Sequence, residues 1–307
     1  MNNHLDMETT MLSQRILDYT DRQIRWLFSA PALLVMLGLF AYPMFRLIWT
    51  GFTDEVLSSE GKIEFIGVAN YVRAFSEDPH FLRSIWLTLY FAVGSTLGQL
   101  TLGLGLALFL NRQFKGEATF RMLLMFPIIA TPVAMSLVWS MLMNPMMGHL
   151  NYYLSLLGLP GSLWAADTST VLPSLIMIEL WHWVPMTMLV LLAGLKSLPK
   201  EPFEAATVDG ASRFQMFVNI TLPLLQPYVF LLLLLRLVHG LKVFDKIFVI
   251  SGGGPNRASE TLNIMIYEQA FGATNFGYAS ALGSFLLLII LLISIGLFRF
   301  RQRKWSY

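Results

Sequence analysis

Residues 204–223 read EAATVDGASRFQMFVNITLP, a polar interval set between two long apolar runs at 171–195 and 222–244. At ~1.5 Å per residue, each run is long enough to cross about 30 Å of hydrocarbon as a helix. Working outward, the same length test finds further runs at 26–49, 85–110, 120–143 and 276–298. Lipid offers no partner to an open strand edge, and the short alternating segments of a membrane barrel are absent, so the runs are helices. The expected fold is an all-α integral membrane protein with six transmembrane helices. Composition agrees: 55% of residues are hydrophobic and 13% are charged, against roughly 25% charged in an average soluble domain. The chain of 307 residues has no cysteine, which excludes disulfides and thiolate metal sites.

Charge sets the expected orientation. With the N-terminus inside, the inner segments carry thirteen Lys and Arg residues, among them Arg22, Arg112, Lys196, Arg213 and Arg301. The outer segments carry six: Lys62, Arg73, Arg83, Lys242, Lys246 and Arg257. The positive-inside rule therefore predicts both termini and the 204–223 loop in the cytoplasm. The sequence pI near 8.8 reflects these helix-end cations and is not a nucleic-acid signal. The expected organisation is a cytoplasmic tail at 1–25, a membrane domain at 26–300 containing a polar loop at 198–222, and a cytoplasmic tail at 301–307. The first 25 residues lack the short apolar core and small-residue cleavage site of a signal peptide.

The loop has its own local logic. Pro199 and Pro202 end one span and start a short helix. Gly210 permits the backbone of a sharp turn. Ser212 can cap a second short helix running through Phe217, which Pro223 closes as the next span opens. Phe203, Phe214, Met216 and Phe217 would give this knob an apolar surface, and Glu204, Asp209 and Arg213 would give it charge. Pro127 and Pro132 should kink or break the third span. Gly94 and Gly98 in the second are best read as helix packing.

Ionisable residues inside the spans cost roughly 2.5–3.5 kcal/mol each on insertion scales, which makes them functional candidates. Glu179 and His182 share one helix face at i, i+3, as do Arg236 and His239. The residues leave several readings open: a structural Arg236–Glu179 bridge, a proton relay through Glu179 and His182 in a secondary transporter, and a solute site. The zinc reading is the weakest, because nothing in the spacing requires it. No GxxxxGK[ST] sequence occurs, and SGGGP at 251–255 lacks the lysine of a phosphate-cradling loop.

The order Glu-Ala-Ala, three residues, Gly210, nine residues, then Ile220-x-Leu222-Pro223 resembles, without a gap, the signature loop of bacterial binding-protein-dependent ABC importer permeases. Residues 65–75 (FIGVANYVRAF), 144–157 (NPMMGHLNYYLSLL) and 236–255 (RLVHGLKVFDKIFVISGGGP), with Tyr278-Ala-Ser-Ala-Leu, resemble the maltose-type carbohydrate branch. The likeness runs from about residue 27 to residue 304. It implies a type I ABC importer permease bundle in a bacterial inner membrane, carrying a sugar or sugar-like solute. It implies that Glu204, Ala205, Ala206, Asp209 and Gly210 form a coupling knob docking on an ATPase. It also implies a solute pathway lined by His182, Trp183 and Met186 around Pro185, and by Arg236, His239, Gly240 and Val243. An acidic residue often occupies the place of His239 in that family. The replacement makes the cavity less negative and admits a solute with an acidic group as well as a neutral one. The implied partners are two ATP-binding cassette subunits, a second permease that is usually a different chain, a periplasmic or lipid-anchored solute-binding protein, and membrane lipid, with no nucleic acid. ATP and Mg would be bound by the ATPase, leaving this chain without a cofactor, metal site or enzymatic activity.

Overall fold

A computed structural model of the protein describes residues 2–56, 63–112 and 114–304. Among these residues the regular structure is helical, and the pairing of extended chain is limited to two isolated bridges, Thr53 with Phe65 and Val56 with Asn275. Helix α1 (Asn2–Thr50) contains the first apolar run, and a short helix α2 (Ala69–Ser76) follows. The central layer is α3 (Phe81–Leu110) against α7 (Val171–Lys196), with α10 (Leu222–Leu241) packed on α3. Helices α4 (Glu117–Ile129), α5 (Pro132–Leu142) and α6 (His149–Leu156) lie between α3 and α7 in sequence. After α7 come α8 (Glu201–Val208) and α9 (Arg213–Met216), then α11 (Asp245–Ser251), α12 (Leu262–Tyr267) and α13 (Phe276–Lys304).

Among the described residues, five helices are long and apolar enough to cross a membrane: Phe28–Thr50, Phe81–Leu110, Val171–Lys196, Arg213–Leu241 and Phe276–Gln302. The sixth run, 120–143, is not one rod. It divides into α4 and α5, which meet at 99°. Ala130 and Thr131 are extended at ψ 135° and 141°, and Pro132 then opens a new helix. The residue before a proline is driven out of the helical region, so the break falls where the sequence demands it. The fifth span also differs from its expected bounds. It begins at Arg213, passes through a π-helical turn at Phe217–Thr221, and stops at Leu241 instead of reaching Phe244. Pro223 does not close the preceding helix, because proline is tolerated in the first turn of α10 that the π turn feeds.

Lipid tails are as apolar as leucine, so close van der Waals fit holds the bundle together more than burial does. A Cβ on Gly103 would lie 2.7 Å from Thr187 Cγ2 and 3.2 Å from the Met188 nitrogen, and one on Gly98 would lie 2.6 Å from Leu180 Cδ2. These glycines let α3 and α7 approach to backbone contact. Ala107, Leu110, Met188, Leu191 and Leu225 fill one end of the layer, and Phe91, Leu175, Val243 and Ile247 fill the other. Helix α1 packs chiefly on α13 and leaves most of its apolar surface exposed.

The turn between α11 and α12 holds a buried acid. Glu260 accepts from Arg257 Nη1 at 2.8 and 3.0 Å. Burial, with the Glu268 carboxylate adding to it, outweighs Arg257 and raises the Glu260 pKa to about 7 from its ordinary 4.5. The folded turn therefore holds a proton that the unfolded chain releases. Its stability is fully present below pH 4.5, falls as pH rises toward about 7, and is flat beyond. Hydrogen exchange of residues 252–262 should quicken across that window, after correction for intrinsic rates, and Glu260→Gln should remove the dependence. Equal opening free energies at pH 5 and pH 8 in the wild type would contradict the assignment.

Candidate functional site

Two constellations stand out, one at each end of α10. The first is the knob between α7 and α10. Pro202 and the acidic residues Glu201 and Glu204 occupy the first turn of α8, where an anion complements the helix dipole. Gly210 stands at φ +75°. Its N–H donates to the Thr207 carbonyl at 3.2 Å, and the Ala211 N–H donates to the Ala206 carbonyl at 2.9 Å. This is a Schellman ending, in which a left-handed glycine closes the helix. Ser212 then starts α9 with a capping box: Gln215 N–H donates to Ser212 Oγ at 3.3 Å, and Ser212 N–H donates to Gln215 Oε1 at 2.8 Å. A stop signal and a start signal two residues apart fix the angle between the two short helices.

Glu204, Ala205, Asp209 and Gly210 are exposed on this knob, and Ala206 is half-buried. Its most protruding apolar side chains are Val208 and Phe214, 87% and 75% exposed. Val208 was not among the apolar side chains expected on the knob. An apolar surface beside acidic groups, held on rigid local geometry, is suited to docking in a groove of another protein.

The second constellation lies where α7, α10 and α11 meet. Glu179 is fully buried and faces two basic side chains and a histidine. Lys246 on α11 donates to its Oε2, while Arg236 Nη2 and His239 Nε2 each stand 3.5 Å from its Oε1. Arg236 Nε also donates to Gln99 Oε1 on α3 at 2.8 Å. The guanidinium carbon lies 4.0 Å from the centre of the Trp183 ring, a cation–π contact that partly offsets desolvation. Trp183 stacks edge-on with His239 at 5.0 Å and lies 4.9 Å from His182. With Lys and Arg charged, one anion serves two permanent cations, so the cluster is net positive. Trp183 Nε1, His182 Nδ1 and Arg236 Nη2 are buried without a hydrogen-bond partner.

His182, Trp183, Arg236 and His239 therefore come together as a group. Met186 is exposed on α7 and is not part of the ring stack. Gly240 and Val243 stand elsewhere. A Cβ on Gly240 would lie 2.9 Å from Ala92 Cα, so that glycine lets α10 close on α3. Val243 is buried among Leu87, Phe91 and Leu175. Lys246, expected as an outer-loop charge, is instead buried on Glu179. The proposed Arg236–Glu179 bridge exists as the longer arm of a larger network. Among the described residues no group of three or more His, Cys, Asp or Glu is arranged to hold a metal ion.

Comparison with known proteins gives this geometry a context. The sequence profile of the binding-protein-dependent transport system inner membrane component family matches residues 99–306. The trehalose/maltose transport system permease protein MalF of Thermococcus litoralis is 31% identical over 279 residues, covering 91% of this chain and 94% of that protein. The sulfoquinovosyl glycerol transport system permease protein SmoG of Agrobacterium fabrum is 34% identical, covering 87% of each. Among solved structures, a chain of a bacterial alginate ABC transporter, in complex with an alginate pentasaccharide-bound periplasmic protein, superposes with a TM-score of 0.79 at 25% identity. That match covers 93% of this chain and 97% of the other.

Proposed function

Because the chain belongs to the family of binding-protein-dependent transport system inner membrane components and is a sugar ABC transporter permease, we propose that it forms one half of the pore of an ATP-driven importer. In this reading the pore takes up a sugar or sugar-like solute with an acidic group. The observation that carries the importer reading is the 204–215 knob. Its Schellman ending and capping box hold a docking shape that a loop resting on headgroups would not need. Glu204, Ala205, Ala206, Asp209 and Gly210 dock on the ATPase, where ATP and Mg are bound. The remaining partners are a second ATPase copy, a second permease and a solute-binding protein. The cysteine-free background makes the test clean. Phe214→Cys on the knob should crosslink to the co-purified ATPase with a short bifunctional reagent, and Ser155→Cys at the other end of the bundle should not. A knob that never crosslinks would remove the coupling assignment.

The solute enters this reading through the charged cluster. Arg236, His239, His182 and Trp183 present a net positive, partly unsatisfied polar group beside an indole face. Sugars offer hydroxyls to such donors and C–H faces to such rings. The names of two relatives are consistent with an acidic group: sulfoquinovosyl glycerol and alginate are both anionic. His239→Asn and Trp183→Leu create no new unpaired charge. Each should leave the amount of assembled complex unchanged and raise the KM for an acidic sugar more than for its neutral analogue. Unchanged kinetics and preference in both would take these residues out of the pathway.

Orientation follows from charge, with both termini and the knob in the cytoplasm and α6 outside. On intact spheroplasts a membrane-impermeant thiol reagent should label Ser155→Cys and leave Ser212→Cys untouched. The reverse pattern would invert the topology.

A further inference from the structure

We propose that Tyr228 and Ser197 are positioning residues for coupling: they brace the two stems of the knob, so that a push on the knob reaches α7 and α10 as one movement. Ser197 ends α7, and Tyr228 lies on α10. Their hydroxyl oxygens stand 2.7 Å apart. A serine hydroxyl has one hydrogen to give. Ser197 gives it to the Gly194 carbonyl at 2.8 Å, so Tyr228 is the donor of the bond between the stems. That bond closes a stretch of 31 residues, which contains the whole knob.

The tyrosine ring is seated as well as bonded. A Cβ on Gly194 would lie 2.9 Å from both Cγ and Cδ2 of Tyr228, and 3.1 Å from Leu225 Cδ2. Gly194 is buried, and its missing side chain is the space in which the ring lies against the α7 backbone. Leu225, about one turn before Tyr228 on α10, is buried with Leu191, Leu192 and Leu195 of α7.

The use of a brace follows from the packing. Helices α7 and α10 each lie chiefly on α3 and meet one another far less. The knob joins them by separate stems, out of α7 at Ser197 and into α10 through the π turn Phe217–Thr221. Without a tie, force on the knob is taken up by parting those stems. Farther along, the same two helices are joined again by Arg236 against Glu179 and Trp183. The brace and the charged cluster thus hold one helix pair at two levels. The neighbouring Lys196–Glu117 pair has a different role. It is 3.7 Å long, its lysine is 52% exposed, and it ties α7 to α4. Exposed pairs of this kind contribute little.

The inference rests on the reading of the chain as half of an ATP-driven pore, and the experiment separates the two. The full complex in proteoliposomes is offered maltose, sulfoquinovosyl glycerol and an alginate trisaccharide as probes. Solute taken up per ATP hydrolysed is measured for the wild type, Tyr228→Phe, Ser197→Ala, their double variant and Lys196→Gln. Each brace variant should lower that ratio about fivefold, as for loss of a hydrogen bond worth ~1 kcal/mol. The double variant should fall no further than the single ones. Lys196→Gln should match the wild type, and every variant should retain its ATPase. Ser197→Cys combined with Tyr228→Cys should begin with a low ratio and regain the wild-type value when a short bifunctional thiol reagent joins the stems. A wild type that takes up no probe on ATP would end the ATP-driven reading and this inference together. ATP-driven uptake with an unchanged ratio in Tyr228→Phe and Ser197→Ala would overturn the inference alone. So would arrest of uptake by the covalent bridge, which would mean that the stems must part. Loss of the ATPase from Tyr228→Phe would overturn it too, by making the hydroxyl an assembly contact.

Discussion

Gly210→Pro is expected to abolish ATP-driven uptake while the chain still inserts in the membrane. The reason is local. Gly210 stands at φ +75°, and proline is locked near −65°. The left-handed step that ends α8 cannot form, so the two donors that close the helix, from Gly210 and Ala211, lose their geometry. The membrane spans do not depend on that step. A graded series separates backbone strain from steric clash, since a Cβ at this position meets nothing within 4 Å. The left-handed region costs an ordinary residue about 1–2 kcal/mol, and asparagine tolerates it best. Uptake should fall in the order Gly, Asn, Ala, Val, Pro, with amounts of membrane-inserted chain nearly constant. Purified complexes should show ATP hydrolysis detached from transport, or loss of the ATPase. Full uptake by Gly210→Pro would show that the knob's shape is irrelevant to coupling.

The second large effect is expected at Glu179. Removing the one anion strands Arg236 and Lys246, both buried, and leaves His239 without its carboxylate. Breaking a buried pair from one side costs roughly 3–5 kcal/mol, because an uncompensated charge remains. Glu179→Gln should therefore lower the thermal midpoint of the purified chain sharply and reduce its yield. Lys246→Met should cost less, since Glu179 keeps Arg236 and the balance becomes one to one. Adding Lys246→Met to Glu179→Gln should recover part of the loss, and the non-additivity is read from the double-mutant cycle. A proton carrier predicts the opposite: Glu179→Gln would be stable, fully assembled and unable to transport.

These two predictions rest on features that differed in how far the sequence disclosed them. The knob was nearly complete in one dimension. Its glycine and its serine cap act on near neighbours, where turn chemistry is local, while the exposure of Val208 and the π-helical continuation into α10 lay beyond that reading. The spans were visible because lipid forces long apolar runs. The third was also marked as breakable by its two prolines, although a bend as sharp as 99° depends on where α5 finds its packing partner, α11.

The charged cluster was half visible. Glu179 with His182, and Arg236 with His239, announced themselves by spacing on a helix face. Lys246 did not, because it follows the end of a span and reads as a surface charge. Its partner is 67 residues away in sequence, and Gln99 is 137 residues from Arg236. Only the return of α11 against α7 buries that lysine. Gly240 and Val243 illustrate the converse. A position carried over by resemblance shares a place in the chain, while the direction it faces depends on packing against Ala92 and Leu175.

This chain is expected to move solute on ATP hydrolysed by a separate subunit. The direct measurement is uptake in proteoliposomes by the chain reconstituted with its ATPase, second permease and solute-binding protein, with ATP and an imposed pH gradient supplied separately. Uptake should require ATP on the knob side and the solute-binding protein on the other, and should proceed with the pH gradient collapsed. Accumulation driven by a pH gradient alone, in vesicles holding only this chain, would contradict it.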